Sequence, residues 1–397
     1  MKRILVSLIF LILLSSCNQS KKSDNTCIPP LVSLAYPVGA TESPNKNVEE
    51  IPPTDIWKIE TEMPSLDAVS SLVVRQGYEI WVSTNQAIYK YQTDIHEWKS
   101  YTTIGNEYVI PTHLYLASDG TLWGSGLRHL SQDARNKALP LLSKYNENAD
   151  QFEFVKDQDG LLQENNSIRL ISNFREDIKG DLWFILYFLE DGIGTKSALY
   201  NIDPDSLKVK QHFVAPLERS EFVNFAFDPN GKIWVIEFGI KGTQLVQYDP
   251  ISGKMTPYSG QLPDNGIPQD NLVRDPDFNN IRNLYLDRAD RLWVDDIGWL
   301  DFTDKNNPMW YKIIRSSVFI TSSSHPESQY GWTRPYFTYQ SSNGQYWFSS
   351  QAGMVRLNPE KAEWCLFTTG SSPVVEDENG NLWIVVFGKL YKYKLNP

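Results

Sequence analysis

Cysteine and histidine are scarce, at three and five residues in a chain of 397. Cys17, Cys27 and Cys365 stand far apart with no C-x-x-C and no Cys/His spacing, so neither a disulfide framework nor a zinc site is supported. HExxH, GxSxG and a phosphate-cradling glycine loop are all missing, and DGIG at 191–194 is a lone Gly-x-Gly. The histidines, His96, His113, His129, His212 and His325, are scattered over different segments. Nor is there an excess of positive charge. With 37 Lys and Arg against 48 Asp and Glu the formal net charge is −11, a field that repels phosphate backbones and argues against nucleic acid as a partner. What remains is a composition 41% hydrophobic and 13% aromatic, which suits a large globular core.

The N-terminus has a different character. Lys2 and Arg3 precede an almost unbroken apolar run, Ile4 to Leu14, and small Ser15 and Ser16 precede Cys17. This is the layout of a secretory signal peptide, and the run is shorter than the roughly 20 residues of a membrane-spanning helix. Leu14-Ser15-Ser16-Cys17 resembles the bacterial lipobox, which implies cleavage before Cys17 and acylation of its thiol. Two or three acyl chains, at about 0.8 kcal/mol per buried methylene, hold a protein on a membrane that one chain would let go. From Asn18 to Thr54 the chain is polar and proline-broken and reads as a linker, with a root-mean-square reach on the order of 35 Å. The expected organisation is a leader over 1–16, a lipidated Cys17 and linker over 17–54, and a folded domain over 55–397.

That domain is repetitive. Seven segments share one pattern, from VVRQGYEIWVST through LASDGTLWGSG to VEDENGNLWIVV, with Trp81, Trp123, Trp183, Trp234, Trp293, Trp347 and Trp383 at intervals of 36 to 60 residues. Each copy reads as a β-hairpin with an Asp/Asn/Gly turn. Glycine stands three positions before the tryptophan in five copies, at Gly120, Gly180, Gly231, Gly344 and Gly380; Asp290 replaces it in the fifth copy, and Gly77 is shifted by one in the first. A third and often a fourth strand follow, as in AIYKYQTD and HEWKSYTT. Four short antiparallel strands per repeat make a β-propeller blade, so the expected fold is all-β, a seven-bladed β-propeller. The seven tryptophans are then core between blades, each with an N–H that needs an acceptor.

A propeller must also close its ring, because open ends expose edges and faces. The last copy stops one strand short, and DIWKIETEMP at 55–64 matches the fourth-strand pattern. A segment over about 55–61 is therefore expected to complete the seventh blade.

Asp-x-x-Gly-x-Leu-Trp followed by a Gly-Leu-x-x-Tyr-like strand resembles the two-component regulator propeller repeats, with DENGNLWIVVFGKLYKY and SNGQYWFSSQAGMVRL as the nearest stretches. In that family such repeats form the extracellular sensing part of bacterial signalling proteins, usually followed by membrane and kinase regions. This chain carries neither, so the resemblance implies the propeller first and signalling only secondarily. A more distant likeness is to the streptogramin B lyases, which implies a seven-bladed enzyme with a histidine base and magnesium.

The long segments fall on one expected face. Residues 126–140 and 187–197 join second to third strands, and 156–167, 260–279 and 315–334 join successive blades, whereas turns such as DPNG and DPISG opposite them are tight. Binding loops are expected where a rigid scaffold tolerates length. Ten residues before each tryptophan stand Ser71, His113, Asn173, Asn224, Asn283, Phe337 and Pro373. The polar members are candidates to line the channel mouth, or else to satisfy its backbone edges. Arg282, Trp332 and Arg334 near the same face suit a flat polar ligand such as a sugar. DQDGLLQE at 157–164 and DNGIPQDNLVRDPD at 264–277 concentrate carboxylates that could take Ca2+ or Mg2+, although neither matches a full calcium loop. The expectation is a monomeric propeller in the cell envelope, lipid-anchored and extracytoplasmic, that binds an extracellular or periplasmic protein, a glycan or a small molecule without catalysis. The alternative is a lyase or hydrolase at the channel mouth, with a divalent metal as its candidate cofactor.

Overall fold

The Asp-x-x-Gly turn is the unit from which the molecule is built. In four blades the residue six before the tryptophan is aspartate: Asp177, Asp228, Asp287 and Asp377. One carboxylate oxygen accepts two turn amides, as where Lys179 N and Asp181 N donate to Asp177 Oδ1 at 2.8 and 3.1 Å, and Asn230 N and Lys232 N to Asp228 Oδ1 at 2.8 and 3.0 Å. The other oxygen accepts the indole N–H of Trp183, Trp234, Trp293 or Trp383 at 2.8–2.9 Å. Charge-assisted bonds of this kind are roughly twice as strong as neutral ones. The residue three before the tryptophan adopts positive φ in blades two to seven, and Asp290 does so without glycine's freedom (φ 57); in blade one the positive-φ residues are Gln76 and Gly77. Blade six substitutes Ser341 Oγ (3.2 Å), and blade one uses Glu79 (3.1 Å). Blade two has Ala117 at this position, and Trp123 Nε1 is buried with no hydrogen-bond partner among the described residues; Lys144 Nζ sits 4.2 Å from the centre of its ring instead.

The computed structural model describes residues 27–28 and 58–395, apart from 136–138, 163–167, 191–193, 216–219, 240–241, 259–282, 295–297, 303–308, 313–335, 351–352, 359–362 and 369–372. Among the described residues seven antiparallel sheets follow in chain order, with strands in sequence from hub to rim except that N-terminal strands take the outer edges of blades six and seven. Their inner strands are Val69–Arg75, Val109–Leu116, Ile168–Glu176, Glu221–Phe227, Leu284–Leu286, Tyr336–Gln340 and Val375–Glu376. The tryptophans lie on the second strands and are at most 4% exposed.

Each indole faces the next blade. Trp81 packs with Leu114, Leu122 and Phe152 of blade two, and Trp123 with Ile171, Leu182 and Phe184 of blade three. Trp183 meets Phe222 and Phe225, Trp234 meets Leu284 and Leu292, and Trp347 meets Leu382 and Ile384. Trp293 and Tyr346 join blades five and six with ring centres 4.8 Å apart. Trp383 closes the series on Leu72, Ile80 and Val82 of blade one. The core is thus a ring of interfaces, which is why a lone four-stranded blade cannot bury both faces.

Closure occurs where the sequence predicts it. Lys58–Glu62 pairs with the terminal strand Lys389–Lys394, registering Lys58 with Lys392 and Glu62 with Lys389, and becomes the outer strand of blade seven. Met63 N extends the junction by donating to Gly388 O at 2.7 Å. One expectation needs correction. Residues 187–197 are not a long connection: Leu182–Glu190 and Gly194–Ile202 pair along their whole length, from Leu182 with Ile202 to Glu190 with Gly194. The apolar FILYFLE run continues the strand, so periodicity alone overstated the loop.

Two predictions test this construction. Asp228→Ala removes the acceptor of Trp234 and two turn amides at once and should cost about 2–4 kcal/mol in urea unfolding, whereas Ala117→Asp supplies the acceptor that Trp123 lacks and should add about 1 kcal/mol. Deletion of 58–62 should broaden and lower the thermal transition, while deletion of 31–50 leaves it in place; equal transitions for the two would contradict closure by this strand.

Candidate functional site

The hub is lined by seven inner strands whose free edges face one another, so their polar groups need partners. The residues ten before each tryptophan meet much of that need. Ser71 Oγ accepts Leu114 N (2.9 Å), joining blades one and two. Asn173, in the left-handed region at φ 56, donates from Nδ2 to Val223 O (2.7 Å) and joins blades three and four. Asn224 Nδ2 donates to Asn283 Oδ1 (2.8 Å), joining four and five. Register shifts accompany Ser71, Asn173 and Asn224, as expected where a bulge re-aims a side chain. The structure therefore brings Asn173, Asn224 and Asn283 to the hub and engages their amides between blades. His113 is in the same tier and makes no hydrogen bond to a described residue. Burial holds its pKa below the ordinary histidine value, which keeps the imidazole neutral at neutral pH. Arg282, Trp332 and Arg334 lie outside the described residues.

On the tight-turn face neighbouring blades are sewn together. Ser118 N donates to Glu176 Oε2 (2.7 Å), Ser342 N to Glu376 Oε2 (2.7 Å), Arg288 N to Gln340 Oε1 (2.8 Å) and Arg75 Nε to Gly120 O (3.3 Å). On the other face the connection of blade two carries a short helix, Gln132–Arg135. In the 156–167 segment Asp157 accepts Leu161 N (2.7 Å) and Leu162 N (2.9 Å), so its carboxylate closes its own turn. The segments 260–279 and 315–334 fall outside the described residues, apart from no more than their flanks. Among the described residues no group of three or more His, Cys, Asp or Glu is placed to hold a metal ion.

A second tier lies two residues further along the inner strands, about 7 Å deeper. Here stand Val73, Tyr115, Arg175, Ala226, Tyr285, Tyr339 and Val375, eight residues before each tryptophan. Arg175 of blade three interacts electrostatically with Tyr115 of blade two and with Tyr285 of blade five. Blades three and five are not neighbours, so the Arg175 charge and the Tyr285 hydroxyl influence each other across the hub without a hydrogen bond between them. Tyr285 also interacts with Tyr339 of blade six, whose hydroxyl donates to Glu376 Oε2 at 3.1 Å. The guanidinium donates from Nη1 to Phe174 O (2.8 Å), and no described carboxylate pairs with it. Protein packed around it lowers its pKa from the ordinary arginine value, although the residue as a whole is only partly buried. Burial likewise pushes Tyr115 up to about 12, helped by Glu176, and raises Tyr285. The arrangement places a cation among the inner strands, within electrostatic range of two phenol hydroxyls, a charge that suits an anion. Sequence reading passed over this tier because it aligned the repeats at a shallower position. The signal was available: Arg175 is the one charged residue in a column otherwise made of Val, Ala and Tyr.

No protein-family model and no curated protein matches the sequence. Solved structures do. One is the extracellular domain of BT3049 from B. thetaiotaomicron, described as a hybrid two component system, with a TM-score of 0.56 and 16% identity over 86% of this chain. This chain spans 41% of that one. Virginiamycin B lyase from Staphylococcus aureus gives a TM-score of 0.53 and 15% identity, covering 86% of this chain and all of that chain. A chain of the mitotic checkpoint complex gives 0.51 and 10%, covering 92% of this chain and 98% of that one. At these identities the likeness bears on fold alone, and the seven-bladed propeller is that fold.

An unpaired cation among the inner strands costs stability. Arg175→Met should therefore raise the unfolding free energy by about 1 kcal/mol, as measured in urea; a loss of stability would show that the guanidinium is a structural member of the hub.

Proposed function

We propose that the chain is a lipid-anchored, extracytoplasmic binding module whose central channel takes a small anion, a monocarboxylate or a terminal acidic sugar, through Arg175. The observation that carries this reading is the place of Arg175 on an inner strand, its guanidinium donating to Phe174 O and forming no ion pair with a described carboxylate. The net charge of −11 repels polyanions at long range. That field is screened beyond roughly 8 Å at physiological salt, so a compact monoanion at short range is selected over an anionic polymer. A ligand entering from the long-loop mouth passes His113 before it reaches Arg175. The lipobox around Cys17 and the leader before it support an address on the outer side of a membrane, and the extracellular domain with a similar fold is consistent with that address.

A second reading draws on His113. Its burial favours the neutral imidazole, the form a general base requires, and a lyase shares the fold. In this reading a substrate anion would be oriented by Arg175 while His113 removes a proton. The cation, Mg2+ or Ca2+, would have to come from loops beyond the described residues.

The test is a thermal-shift and calorimetric screen of monocarboxylates and of acidic and neutral sugars against the intact protein in detergent. Binding of an acidic member is expected, with at least about a tenfold loss on Arg175→Met, in line with the 1.5–3 kcal/mol of a charged hydrogen bond. Equal affinities for acidic and neutral members, or no effect of Arg175→Met, would overturn the channel site. Turnover of a bound member that His113→Gln abolishes would favour the second reading. Labelling with radioactive palmitate should mark the wild-type chain and spare Cys17→Ser.

A further inference from the structure

Cys27 lies in the stretch read as linker and Cys365 in the outer strand of blade six, Glu363–Thr368, and nothing in the sequence links them. The fold does. Cys27–Ile28 forms a fifth, antiparallel strand on the outer edge of blade six, with Cys27 in register with Cys365 and Ile28 with Trp364. Directly opposed residues of an antiparallel pair have Cα atoms about 4.5–5.5 Å apart and share a face of the sheet. Disulfides bridge Cα separations of roughly 4.4–6.8 Å. Apart from Cys17, which the lipobox assigns to acylation, these are the only cysteines in the chain. Each is therefore in register with its one available intramolecular partner.

We infer that Cys27 and Cys365 form a disulfide that clips the N-terminal segment to the rim of blade six. This rests on the extracytoplasmic reading above, because a structural disulfide persists only in an oxidising compartment. The chemistry is exchange with a disulfide-bearing oxidant. One cysteine thiolate attacks a sulfur of the oxidant and releases the first oxidant thiol. The second cysteine thiolate then attacks the mixed disulfide and releases the other. The protein gives up two protons and two electrons, and the oxidant leaves as a dithiol.

Two consequences follow from chain length. Without the clip, the acylated Cys17 and the closing strand at Lys58 are separated by the whole linker. With it, the membrane anchor and the propeller rim are ten residues apart, a span of at most about 35 Å even when fully extended, so the rim of blade six is held toward the lipid. The clip also ties the chain to blade six at Cys27, upstream of the strand that closes blade seven. The closing strand Lys58–Glu62 then re-pairs from a high effective concentration whenever it detaches. The added strand covers the edge of blade six, an otherwise open template for pairing.

The experiment uses the full chain, expressed with its leader, extracted in detergent and equilibrated in a glutathione redox buffer. Free thiols are blocked with N-ethylmaleimide without reduction before tryptic mapping. The expected product joins peptide 23–46 to peptide 362–389, lighter by two hydrogens than their sum and separated by dithiothreitol, with neither cysteine blocked. Cys27→Ser should leave Cys365 fully open to N-ethylmaleimide. Two blocked cysteines in the wild-type chain, or links only between chains, would overturn the inference. The mass of the Cys17 peptide keeps the two readings apart. Acyl mass on Cys17 with Cys27 and Cys365 both blocked sinks the clip and leaves the address standing. An unmodified Cys17 with the 23–46/362–389 link formed in the glutathione buffer sinks the anchor and upholds the pairing.

Discussion

A single carboxylate that serves two masters underlies the architecture. In blades three, four, five and seven the turn aspartate ties its own hairpin with one oxygen and takes the indole N–H of the tryptophan six residues on with the other. The first bond is local and makes the hairpin. The second sets the orientation of the largest side chain in the blade, and that side chain is the contact with the next blade. Local turn chemistry and long-range packing are thereby coupled through one residue. The exceptions follow the same demand: serine in blade six and glutamate in blade one replace the acceptor, and in blade two a lysine ammonium over the ring takes the place of the missing bond.

A ring built in this way has consequences for the site. Seven interfaces that each depend on the next hold the hub strands at fixed spacing, and the tight-turn face is locked further by bonds such as Ser118 to Glu176 and Ser342 to Glu376. A rigid hub tolerates an unpaired cation that a softer scaffold would neutralise by collapse or by solvent. The polar tier above Arg175 is largely committed to joining blades, which leaves His113 and Arg175 as the groups that the proposed binding would use.

Most of the fold was legible along the chain. Tryptophan spacing, the positive-φ position three before it and the truncated last repeat led to seven blades and to a closing strand that the structure places at Lys58–Glu62. These features are local, or depend only on counting. Residues 187–197 were misread because an apolar strand and a loop with scattered polar residues look alike when the partner strand is unknown. The bonds of the asparagines to Val223 O and to Asn283 run between blades, a relation that no alignment of repeats contains. Arg175 was visible as a charge in a hydrophobic and aromatic column. Its isolation from carboxylates was not, since that depends on what every other blade presents.

By itself the sequence determined the repeat, its number, the hairpin turns and the closing segment, because periodic burial and turn chemistry are written in residue types a few positions apart. Only the tertiary structure decided which groups influence each other across the hub and which cysteine stands in register with which. Arg175 and Tyr285 lie 110 positions apart, and Cys27 and Cys365 lie 338 apart. Such pairs are set by the angle and register at which whole blades come together around the ring, and the residues between them carry no mark of it.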